Sequence, residues 1–80
     1  MSARAVNAVN RLCKLILLMQ DGRPQTVNQL LTDLQAVHGV KAVYSSVWRD
    51  LLTLEAHNLV ERKKRVGHRG WLFRLKGLRQ

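Results

Sequence analysis

From Ala3 to Gln20 the apolar positions fall on two neighbouring helical stripes. Val6, Val9, Cys13, Ile16 and Leu17 make one; Ala5, Ala8, Leu12, Leu15 and Met19 make the other. Arg4, Asn7, Arg11 and Lys14 take the remaining face. Recurrence at three and four residues marks an amphipathic helix, so the spacing predicts a helix over 3–20. Two stripes make an apolar surface wider than one small domain normally covers. The Val6–Val9–Cys13–Ile16 stripe is expected against the other helices. Leu12, Leu15, Leu18 and Met19 are then left for a second subunit.

Asp21-Gly22-Arg23-Pro24 stops this helix and turns the chain. Thr26 and Gln29 have the spacing of a capping box, each side chain reaching the other's backbone amide. A second helix is predicted to run to about His38, with Val27, Leu30, Leu31, Leu34 and Val37 inward and Gly39 closing it. A third is predicted from about Ala42 to His57. Val43, Val47, Leu51 and Leu54 recur there at core spacing, while Tyr44, Ser45, Trp48 and Arg49 point elsewhere. Asn58 suits a left-handed terminus, because its short polar side chain tolerates that conformation.

The period then changes. Leu59 to Arg65 and Gly70 to Lys76 are two extended segments around Val66-Gly67-His68-Arg69. In the second, Trp71, Phe73 and Leu75 alternate with Leu72, Arg74 and Lys76, as in a half-buried strand. The pair reads as a hairpin. The expected fold is mainly α with a small β-hairpin, in the order helix, helix, helix, hairpin, as one domain over 1–80.

Charge sharpens this picture. The chain has 14 Lys and Arg against 5 Asp and Glu, a net +9 over 80 residues. Residues 1–40 hold four basic and two acidic groups, residues 41–80 ten and three. Such a bias attracts polyanions, and nucleic acid is the commonest. Other features exclude more than they add. The lone Cys13 makes no internal disulfide and fits a reducing cytoplasmic setting. His38, His57 and His68 lack zinc-ligand spacing, so no metal or other cofactor is expected. The Leu15–Met19 run is too short for a membrane span, and no signal-peptide cleavage site follows it.

Ser46-Val47-Trp48-Arg49-Asp50-Leu51, then Leu54-Glu55, then Asn58-Leu59-Val60 and a basic stretch resemble a segment of the winged helix-turn-helix DNA-binding domain. The pattern is similar to DeoR-type bacterial regulators, with Ser46, Trp48 and Asn58 where Thr, Tyr and Gly are usual. The longer stretch from Gly39 to Ser46 is closer to the ferric-uptake type. The resemblance implies a third helix in the major groove and a wing along the backbone. Carried over by position, Lys41, Tyr44, Ser45, Ser46, Trp48 and Arg49 face DNA from the helix. Arg62, Lys63, Lys64, Arg65, His68 and Arg69 do so from the wing.

Physical chemistry agrees with the residue types. Arg can grip guanine by two bonds, and Tyr or Trp can donate to phosphate. Eight basic residues and no acidic one between 62 and 79 suit phosphate contact, although strand alternation keeps them from all facing one way. Trp48 could instead be core. Asp50 has no paired acid on its helical face and is expected to orient a neighbouring Arg, so no enzyme is expected. The resulting expectation is a DNA-binding transcriptional regulator acting as a homodimer by site occupancy, with no small-molecule effector. Its rival is a winged-helix interaction module that binds an acidic protein surface. A reader of double-stranded RNA or left-handed DNA on the same scaffold is a third reading.

Overall fold

The computed structural model describes residues 3–64, 67 and 70–76. Their order is α1 (Ala3–Leu18), α2 (Val27–His38), α3 (Tyr44–Ala56), β1 (Val60–Lys64) and β2 (Trp71–Leu75). This is the expected arrangement of three helices followed by a two-stranded antiparallel hairpin.

Local chemistry sets the boundaries. The Thr26 hydroxyl accepts the Gln29 amide at 3.1 Å, and the Thr26 amide donates to the Gln29 side chain at 2.9 Å. Two of the orphan donors of α2 are thereby satisfied. Gly39 closes that helix at φ 65°, a conformation that costs a side-chain-bearing residue more. The cap of α3 differs. Val43 stands at its N-cap and supplies no side-chain acceptor to the first turn. Asn58, at φ 64°, reverses the chain into β1, as its residue type suggested.

Leu15, Met19, Val27, Leu30, Leu34, Val47, Leu51, Leu54, Val60 and Phe73 form the core. Every described element contributes to it. In the hairpin, Val60 pairs with Leu75, Arg62 with Phe73 and Lys64 with Trp71. Partners across a ladder share a face. One face therefore holds Val60, Arg62, Lys64, Trp71, Phe73 and Leu75 and turns to the helices through buried Val60 and Phe73. The other holds Glu61, Lys63, Leu72 and Arg74.

One further backbone pairing lies outside the hairpin. Gln25, in the turn between α1 and α2, exchanges two backbone hydrogen bonds with Phe73, both at 2.8 Å. Its side chain also donates to the Leu18 carbonyl at 3.3 Å. These bonds account for a buried glutamine and fasten β2 beneath the first turn.

The rotation of α1 corrects the sequence expectation. Leu15 and Met19 are fully buried (0% exposed), and Leu12 and Leu18 are half-buried against the core. These four residues therefore belong to the inner packing of the protomer and leave no outer stripe of their own. Val9 and Leu17 are instead 54% and 50% exposed, and Cys13 is exposed between them. Apolar content does not separate the two stripes. Arg11 does: it reaches Asp50 on α3 only when the Leu15–Met19 stripe faces inward. Two smaller corrections share a cause. Val37 and Val43, expected inside, are exposed because one sits in the last turn of α2 and the other precedes α3.

Candidate nucleic-acid interface

Helix α3 buries Val47, Asp50, Leu51 and Leu54. Its opposite face then presents Ser45, Arg49 and Thr53, all exposed. The Thr53 hydroxyl donates to the Arg49 carbonyl at 3.0 Å, one turn back. Among the described residues Arg49 has no ion-pair partner, so its five donors are available to a ligand. Tyr44 and Lys41 are exposed at the start of the helix, and Ser46 is half-exposed.

On one flank lies α1. Asn7, Ala8, Arg11, Ser46 and Arg49 line a groove of about 610 Å³. Beside it, Asn7, Asn10, Arg11, His38 and Lys41 are among the residues lining a second groove of about 440 Å³. Arg11 is anchored here by Asp50, with Nη2 at 3.1 Å from Oδ1 and Nε bonded to Oδ2. The hydrogen bond to Asp50 raises the Arg11 pKa above its ordinary value, against the opposing effect of burial. Asp50 thus orients an arginine, as expected, but one from α1. Asn7, Asn10, Arg11 and Thr53 were missed by sequence reasoning. The polar face of α1 signals the first three, yet nothing in the pattern says which side of α3 they approach.

On the other flank lies the hairpin. Trp48 is half-buried, and its ring meets Phe73 edge to face at 5.6 Å. The expectation that it faces DNA is replaced by a place at the junction of α3 and the sheet, because its indole covers the edge of the core. The Arg62 guanidinium lies 5.9 Å from the Trp48 ring and 4.7 Å from the Trp71 ring. Its Nε is 3.1 Å from Glu55 Oε2 on α3. The Lys64 ammonium is 5.0 Å from the Trp71 ring, on the helix-facing side of the hairpin. Lys63 is exposed on the other side, where Arg74 pairs with Glu61. Lys76 bonds Asn58. Arg65, His68, Arg69 and Arg79 lie outside the described residues.

The geometry therefore brings Lys41, Ser46 and Arg49 around the grooves beside α1, with Ser45 on the exposed face of Arg49, leaves Tyr44 exposed at the start of α3, and engages Arg62, Arg74 and Lys76 within the protein. Among the described residues no cluster of three His, Cys, Asp or Glu side chains could hold a metal ion, and no helix is long and apolar enough to cross a membrane. No protein-family model, curated protein or solved structure matches the chain.

Proposed function

We propose that the protein binds duplex DNA in a sequence-specific way and regulates transcription by occupying its site. One observation carries the reading. Among the described residues Arg49 has no ion-pair partner; it stands on an exposed face of α3, with Arg11 of α1 and, in the α2–α3 connection, Lys41 on one side and the basic hairpin on the other. An arginine free on a helix of this kind can read a guanine edge while the flanking cations hold phosphates. The uncapped first turn of α3 suits a phosphate as well, since its amides carry partial positive charge.

Pairing of two copies would present two α3 helices to a palindromic site. We infer that it uses the outer stripe of α1. Small Cys13 lies midway between bulky Val9 and Leu17, so an antiparallel two-fold pairing sets each bulky residue over its partner's opposite number. Cys13 lies about 200° around the helix from Arg11, which leaves the α3 side free.

The rival reading is a protein-interaction module, favoured by exposed Val37 in the last turn of α2 and exposed Val43 and Tyr44 at the start of α3. A salt titration of binding to a random duplex separates the two. DNA binding through several phosphates weakens steeply as salt rises. An absence of duplex affinity even at low salt would reject the DNA reading in favour of the module.

A further inference from the structure

We propose that Arg62 is a positioning residue, which fixes the angle of the hairpin to α3 without itself touching phosphate. The proposal deepens the duplex-binding reading and rests on it for the DNA measurements alone. Arg62 sits where three elements meet. It leaves β1, lies against Trp71 of β2 at 4.7 Å and Trp48 of α3 at 5.9 Å, and pairs with Glu55 of α3 at 3.1 Å.

Only a planar cation does all of this at once. The guanidinium faces attract the negative faces of aromatic rings while an N–H at its edge donates to the carboxylate. The position along the strand adds to the argument. Val60 roots β1 in the core, whereas Lys64 stands at the end of the strand with its side chain exposed. Arg62 lies between them on the same face. Trp48 immediately precedes Arg49, and Lys64 lies 5.0 Å over Trp71. A continuous stack, Trp48–Arg62–Trp71–Lys64, thus links the base-reading arginine to a wing cation. With Glu55 already answering its charge, Arg62 sets the separation of Arg49 and Lys64.

The test compares Arg62→Ala, Arg62→Lys and Lys64→Ala. In the free protein, both Arg62 variants are expected to weaken the near-ultraviolet circular dichroism of the tryptophans and leave the far-ultraviolet spectrum intact. Both should bind duplex roughly three- to tenfold more weakly. Their slopes of log affinity against log salt should match wild type, whereas Lys64→Ala should lower its slope by about 0.9. Two results overturn the proposal. One is a slope lowered by about 0.9 in Arg62→Ala together with full rescue by Arg62→Lys, which makes Arg62 a phosphate ligand. The other is an unchanged tryptophan spectrum in Arg62→Ala. If the wild type binds no duplex, the DNA reading fails by itself, and the free-protein spectra still decide the stack.

Discussion

Arg11 of α1 grips both carboxylate oxygens of Asp50 on α3, joining residues 39 positions apart. Both side chains are largely shielded from water, so removing one strands the other. Asp50→Ala is expected to lower the unfolding free energy by about 2–3 kcal/mol in urea titrations. Arg11→Met combined with Asp50→Leu should recover most of that loss, because apolar groups of similar volume need no partner. A double variant no more stable than Asp50→Ala would show that the pair is more than a paired charge.

The two stripes of α1 should respond in opposite ways. Leu15→Glu puts a carboxylate into a fully buried site, which costs several kcal/mol in a domain with about 5–15 to lose. Circular dichroism should report an unfolded chain. Leu17→Lys changes a half-exposed position and should shift stability by only about 0.5 kcal/mol. If the outer stripe pairs two copies, sedimentation should show Leu17→Lys as a folded monomer where the wild type associates. A wild type that stays monomeric at high concentration removes the pairing.

Trp48 gives a separate forecast for stability and binding. Trp48→Ala uncovers Phe73 and should cost about 2–3 kcal/mol on thermal or urea unfolding. Trp48→Phe retains an aromatic edge there, so duplex affinity should stay within roughly threefold of wild type. A large affinity loss in a stable Trp48→Phe protein would return the indole nitrogen to the DNA surface.

Arg49→Ala should weaken binding to the preferred sequence by about 1–3 kcal/mol and relax selectivity at one base position. Selection from a randomised duplex pool, run on both proteins, reads out that position. Equal weakening on every sequence would make Arg49 a phosphate contact.

The turn after α1 carries a small acid-dependent contribution. Asp21 accepts the Arg23 backbone amide at 3.1 Å and its Nε at 2.6 Å, which hold the carboxyl below its ordinary value of 3.8. A lowered folded pKa means the contribution is complete above about 3.8 and is lost as pH falls through the lower folded value. Asp21→Asn should therefore differ from wild type in melting temperature near neutrality and converge with it in strong acid. The gap should be small at so exposed a site.

Much of the fold was legible because local rules govern it. Thr26 with Gln29, Gly39 and Asn58 fixed chain reversals by their own chemistry, and the alternation of Trp71, Phe73 and Leu75 marked the last strand. The failures share a different origin. Periodicity shows how wide the apolar face of α1 is, but its rotation depends on an arginine finding an aspartate on a distant helix. Trp48 is both exposed by spacing and covered by a hairpin that follows it, so its place depends on where that hairpin folds back. The Gln25 rung left no trace, since a single backbone pairing needs no particular side-chain pattern. On the candidate surface, Arg49 and the serines were readable from the helical period, whereas Asn7, Asn10 and Arg11 required knowing which helices touch.

The Gln25–Phe73 rung also ties an early turn of the chain to its last described strand, so it forms only after β2 has been made. The helices are local and can form within about a microsecond of leaving the ribosome, but their shared interior is sealed by a ring from the final strand. Until Phe73 emerges, the core shared by the three helices lacks one of its largest fully buried side chains, and part of its apolar surface stays open. A chain ending before that phenylalanine would lose both a core ring and the backbone pairing that holds Gln25.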